Sequence, residues 1–223
     1  LSNANTYTGT TTISTGVVAI SNNAALGTTD GATTVASNAT LSISGGLTAM
    51  AEALTVSGDG VTESSAEVGA IRSTSGSNTL TGLVTLAAAA EVQADAGTLT
   101  FDVSSGNAFE GAYALTVDAN TGDVTVADPI ATSTGTLTKS GSGTLTLSTA
   151  NTYTGSTSVS AGTLKVANST GLGENAGTRS STTVTNGATL EFAGDGTLSS
   201  AEPLTISGTG VSSAGAVKFS AAA

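Results

Sequence analysis

The chain has no cysteine, no histidine and no tryptophan, and only 2 prolines in 223 residues. Without thiols there is no disulfide, no zinc–thiolate site and no thiol nucleophile. Without imidazole, the commonest general base and the commonest nitrogen ligand for metals are missing as well. Serines are abundant, but none has a histidine or a convincing lysine partner to activate it. Cations are scarce: 5 Lys and Arg stand against 16 Asp and Glu, a net charge of −11. Phosphate backbones require clustered Lys and Arg, so nucleic acid is excluded as a partner and anionic membrane surfaces are disfavoured. Aromatics supply 3% of the residues and charged side chains 9%, against roughly 25% charged in an ordinary domain. Long apolar runs are missing too. The most apolar stretch, Leu83 to Ala90 (LVTLAAAA), falls far short of the ~20 residues that cross a bilayer, so no membrane insertion by this segment is expected. Neither an initiator Met nor a signal segment precedes Leu1, which reads as a processed product or a fragment.

What remains is Thr, Ser, Ala and 29 Gly, with regularly placed Leu, Val and Ile. The chain repeats itself. The hexapeptide Ala4-Asn5-Thr6-Tyr7-Thr8-Gly9 (ANTYTG) returns at Ala150-Asn151-Thr152-Tyr153-Thr154-Gly155, 146 residues later. The match extends through 6–27 against 152–173, 33–43 against 182–192, 53–61 against 203–211 and 69–73 against 215–219. Offsets of 146, 149, 150 and again 146 place small insertions between the blocks, and Arg72 faces Lys218. Copy one occupies 5–150 and a partial copy two 151–223, within one domain; residues 87–135 are the least repeat-like. A weaker echo, NTLTG, starts at Asn78, with Leu80 where Tyr7 and Tyr153 stand. A tyrosine exchangeable for leucine is a packing residue rather than a ligand-binding phenol.

Short alternating segments lie between these landmarks: 144–148, 163–166, 189–192 and 204–206, with Leu, Val, Ile or Phe on one face and Thr, Lys or Glu on the other. Thr suits an outward face because it is β-branched and water-compatible. Ser-Gly, Asn-Gly and Gly-Asp-Gly punctuate the strands, and Ala87–Ala90 is the one helix-or-strand ambiguity. Apolar positions recur at 145, 164 and 190, and at 159, 184 and 204, about one coil apart. An all-β solenoid follows, of roughly ten coils at ~22 residues each. No coil buries its own apolar face, but stacked coils share one narrow core.

The stretch GSGTLTLSTANTYTGSTSVSAGTLKVANSTGLG (141–173), followed by TTVTNGATLEFAG (182–194), resembles the autotransporter-associated β-strand repeat, also called the passenger-associated transport repeat. The likeness returns less perfectly over 5–46. It implies a right-handed parallel β-helix in a large secreted or surface-displayed bacterial protein, often one ending in an outer-membrane barrel. An extracellular or outer-surface location is implied with it.

Candidate sites are few. Asp59, Glu63 and Glu67 form the one acidic cluster near a Gly turn, where a solvated edge competes with general acid–base chemistry. Asp118-Ala119-Asn120-Thr121-Gly122-Asp123 spaces oxygen ligands as calcium prefers, yet Asn and Asp are also ordinary turn formers. Tyr7, Tyr113 and Tyr153 could stack on sugars, although two belong to the repeat. Asn5, Asn78 and Asn151 are expected at turns, in left-handed geometry or capping backbone. Gly-x-Gly pieces at 58–60, 141–143, 171–173, 194–196 and 208–210 read as corners, because none continues as a phosphate loop. No catalytic residue, cofactor or metal is assigned.

Two functions compete. The first is a non-enzymatic structural segment of a stalk, adhesin or fibre, whose partners are further copies of its own repeat, in the same chain or stacked end to end. Its exposed strand edges would otherwise invite aggregation. The second is an adhesin module for a glycan or host surface, built by 87–135 with Phe101, Phe109 and Tyr113. A polysaccharide-active enzyme ranks third.

Overall fold

A computed structural model describes residues 1–173, 180–194 and 202–221. These residues build a β-solenoid in which each turn offers three positions around the axis. The first position holds Thr11–Ile13, Thr33–Val35, Leu54–Gly58, the start of Val84–Ala94, Phe109–Glu110 and Ile130–Ala131, all paired in parallel. The second holds Gly16–Ile20, Ala39–Ile43, Ile71–Ser73, the end of Val84–Ala94, Leu115–Ala119, Leu137–Ser140, Thr157–Val159, Thr182–Val184 and Leu204–Ile206. The third holds Ser77–Leu80, Thr98–Phe101, Asp123–Val126, Thr144–Leu147, Thr163–Val166, Thr189–Ala193 and Val217–Ser220. The second position counts nine rungs, so the rod has about nine turns rather than ten, roughly 40 Å at ~4.8 Å per rung.

Alternation decides what faces inward. At the second position Val18, Leu41, Ile71, Val92, Val117, Lys139, Val159, Val184 and Ile206 stack in single file through consecutive pairings. At the third, Leu80, Phe101, Val126, Leu147, Val166, Phe192 and Phe219 do the same. The expected partners Leu145, Leu164 and Leu190 are in direct register. At the second position Val159 and Val184 meet Ile206, one pleat beyond the expected Leu204. Outward positions carry Thr79, Thr100, Thr125 and Thr146, one above another. Val84–Ala94 is a continuous 11-residue strand that takes in the ambiguous alanines and covers two positions at once.

The two sequence copies do not sit at the same place on the turn. Thr11–Ile13 lies at the first position, whereas its counterpart Thr157–Val159 lies at the second. Gly16–Ile20 lies at the second, whereas its counterpart Thr163–Val166 lies at the third. The 146-residue period therefore spans six turns and one further strand position.

The change of offset from 150 to 146 between the third and fourth blocks has a visible cause. In copy one, Thr62–Glu63 and Ala66–Glu67 form an antiparallel hairpin with Ser64 and Ser65 at positive φ. In copy two the same corner closes directly through Ser212 and Ser213, again at positive φ. Both bases are identical in bonding. Gly69 N–H donates to Asp59 O, and Gly215 N–H to Thr209 O, each at 2.8 Å. Thr40 and Thr189 hydroxyls donate to Gly69 O and Gly215 O, and accept from Val61 and Val211 N–H. The hairpin is thus an outgrowth on an otherwise repeated corner.

Candidate functional site

ANTYTG forms a corner in both copies. Tyr153 is fully buried (0%), and its hydroxyl lies 2.8 Å from Thr157 Oγ1. Burial raises its pKa, with the nearby Glu202 carboxyl adding to the effect and the Thr157 bond opposing it. Asn151 joins three turns: its Oδ1 accepts Ile130 N–H (2.7 Å) and its Nδ2 donates to Gly171 O (2.5 Å). Asn5 donates to Ala25 O in the same way, at 2.7 Å. None of Asn5, Asn78 and Asn151 is left-handed, so side-chain capping is the role they fill. Gly9 and Gly155 are not at positive φ either. A Cβ on Gly155 would meet Gly135 O at 2.1 Å, so close backbone approach demands this glycine, not the conformational freedom expected of it. Both ends of the Gly-x-Gly pieces at 58–60 and 208–210 are at positive φ, as corners require.

NTLTG is not a third such corner. Asn78 lies within the strand Ser77–Leu80, in register with Leu99, and Leu80 bridges to Met50. Its amide is nonetheless saturated: Oδ1 accepts Gly46 and Leu47 N–H, and Nδ2 donates to Ser73 Oγ and Ser75 O. The shared letters reflect the shared inward phase of an Asn and the apolar residue two places on.

Each copy contains a polar column that motif reading missed. Thr157 pairs with Thr182, whose hydroxyl donates to Glu202 Oε1 at 2.5 Å. In copy one Thr11 pairs with Thr33, which donates to Glu52 Oε1 at 2.8 Å, below the Tyr7 to Thr11 bond, also 2.8 Å. Burial raises both glutamates above the ordinary carboxyl range, against the lowering effect of the threonine bond. A signal was present: Glu52 and Glu202 each precede an inward leucine by two residues, which fixes them on the core side.

The acidic cluster does not converge. Glu67 stands opposite Thr62 and Glu63 opposite Ala66, so the two acids project from opposite faces of the hairpin. Glu63 binds Arg72 at 2.8 Å, and Arg72 also holds Asp95 at 2.6 Å. Glu91, next along the ladder, is pushed up to about 7 by burial and by the charges of Asp118, Asp59 and Glu67. The DANTGD loop is likewise divided. Asp118 lies within Leu115–Ala119, one residue from its end, while Asp123 opens the next strand and accepts Thr144 N–H at 2.8 Å. Asn120 donates to Asp95 instead. No group of three or more acidic residues is placed to hold a metal among the described residues.

The family model described as Passenger-associated-transport-repeat matches residues 1–20 and 137–166, the two segments that carry these corners. The repeated corner is similar to the passenger-associated transport repeat in both copies. No curated protein and no solved structure gives a significant match to the chain.

Lys139 lies inside the second transport repeat and is fully buried (0%), in the file between Val117 and Val159. Its ammonium donates to the backbone carbonyls of Ser140, Gly141 (2.8 Å) and Ala161 (3.2 Å). Burial lowers it to about 8, despite the opposing pull of Asp118 and Asp123. The segment between the two transport repeats, 87–135, turns out to be regular. Phe101 and Phe109 are core residues with ring centroids 4.6 Å apart, and of the three expected surface aromatics only Tyr113 is exposed. Two of the three residues chosen for a binding surface, Phe101 and Phe109, are therefore packing residues. Lys218 aligns with Glu191, itself 3.9 Å from Lys165, whereas Arg72 serves the hairpin, so the two cations shared by the sequence copies do different work. No helix among the described residues is long and apolar enough to cross a membrane.

Proposed function

We propose that this chain is a non-enzymatic, load-carrying segment of a secreted bacterial cell-surface protein, a stalk or fibre passenger. The observation that carries the reading is the unbroken parallel ladder over a single core, running from Thr11 to Ile206 through nine rungs with a transport-repeat corner in each copy. Such a rod resists extension because every turn is hydrogen-bonded to its neighbours, and it needs no disulfide. Further copies of the same repeat, in the same chain or stacked end to end, are its natural partners, since a turn buries its faces only against another turn. Of the acids weighed for catalysis, Glu63 is bound to Arg72 and projects from the hairpin face opposite to Glu67.

Small-angle scattering of the purified chain tests the rod: an elongated particle is expected, and a compact one refutes the reading. A polysaccharide panel assayed for new reducing ends is expected to stay unchanged; turnover of any member would overturn the non-enzymatic part.

A further inference from the structure

We propose that the recess across the corners of the first three turns binds a primary ammonium group carried on an apolar stem. The recess encloses about 390 Å³ and is lined by Asn5, Leu26, Thr28, Ala49, Ala51 and Glu52, among others. Glu52 is the decisive residue. It is 5% exposed, and its Oε1 accepts the Thr33 hydroxyl, while no hydrogen bond among the described residues reaches Oε2. Oε2 keeps solvent access, so it is the carboxyl oxygen free to accept from an incoming donor. No lining residue is basic.

Two further lining groups, on Asn5 and Thr28, can also accept. Asn151 Oδ1 receives Ile130 N–H, but no described donor reaches Asn5 Oδ1, although the two amides otherwise bond alike. Thr28 spends its hydroxyl hydrogen on Asp30, leaving its oxygen to accept. An ammonium supplies three donors and a positive charge to such a set. Calcium does not fit: it takes 6–8 oxygens, and this lining offers a single carboxylate. Leu26, Ala49 and Ala51 provide apolar wall for a methylene stem. The net charge of −11 favours any cation's approach. This site does not rest on the rod reading.

The test is titration of n-butylammonium chloride into the ¹⁵N-labelled chain, followed by amide chemical shifts. Saturable shifts confined to residues such as Asn5, Ala49, Ala51 and Glu52 are expected, with none from 1-butanol or from sodium chloride at equal ionic strength. Glu52→Gln is expected to weaken binding at least tenfold. Ala51→Leu, at an exposed position and filling the recess without touching the carboxyl, is expected to do the same, whereas Glu191→Gln leaves binding unchanged. A Gly-Lys-Gly peptide producing the same shifts identifies a protein-borne lysine as the ligand; a response to butylammonium alone identifies a free amine. Shifts that never saturate, that sodium chloride reproduces, or that persist at full affinity in either folded recess variant overturn the proposal.

Discussion

Tyr7 and Tyr153 make the same hydrogen bond, 2.8 Å to the threonine four residues on, yet Tyr7 is 41% exposed and Tyr153 has no accessible surface. The bond is therefore kept at either degree of burial, and the burial depends on the turns stacked against the corner. Removing the hydroxyl separates the two contributions. Tyr153→Phe leaves Thr157 unmatched in the core and is expected to cost about 1–2 kcal/mol. Tyr7→Phe, where water replaces the lost partner, is expected to cost about 0.5 kcal/mol or less. Urea unfolding of both variants, with equal costs as the contrary result, checks this.

Lys139 makes stability depend on alkaline pH. Its folded value of about 8 lies below the ordinary 10.5, so the unfolded chain holds the proton longer. Stability linked to this group is present at high pH and is lost as pH falls through 8. Between pH 7.5 and 9.5 the chain is expected to gain about 1 kcal/mol per pH unit at the steepest point. Lys139→Met, which fits the apolar file of Val117 and Val159, is expected to flatten that slope. A variant that keeps the wild-type slope assigns it to another group.

Glu91 works in the opposite direction. Its folded value of about 7 lies above the ordinary 4.5, so its contribution is complete in acid and disappears as pH rises through 7. At pH 8 the carboxylate is charged beside Asp118, Asp59 and Glu67. Glu91→Gln is then expected to stabilise the chain by about 1 kcal/mol, after allowance for solvent screening. At pH 4 the two proteins should unfold at the same urea concentration.

Deleting Thr62, Glu63, Glu67 and Val68 turns the first copy's corner into GVSSAGA, the heptapeptide found at 210–216. Because the base of the hairpin is already bonded as in copy two, the deletion is expected to cost about 1 kcal/mol or less. Circular dichroism melting provides the measurement. Loss of the cooperative transition would mean that the hairpin, through Glu63 and Arg72, holds neighbouring turns together.

The solenoid and its corner were legible because both rest on local pattern. Alternation at 144–147, 163–166 and 189–192 fixes the strands, and the 146-residue self-similarity requires stacking. The misreadings and omissions share one physical origin. Sequence letters record residue type, whereas inward and outward phase depends on which strand a residue joins. Lys139 is charged but two places from Leu137, so the pleat carries it inward. Phe101 and Phe109 lie in the least repetitive segment, which looked like a departure from the fold, yet their phase is that of the core. Asn78 copies the letters of Asn5 while sitting mid-strand. The recess at Glu52 was out of reach for a different reason: its lining gathers from 5, 23–29 and 49–52, and only the stacking brings these together.

The mismatch between the 146-residue period and the number of strand positions per turn makes the repeat a screw rather than a column. An array extended on this period would carry each repeated feature of the module, such as the ANTYTG corner, to a new side of the shaft with every copy. The original side would come round again only at the fourth. Neighbouring corners of one kind would then never stand directly above one another, and every flank of the shaft would carry each kind of corner in turn. A surface built this way meets its surroundings equally from all directions, with no preferred edge along which two shafts could lie side by side.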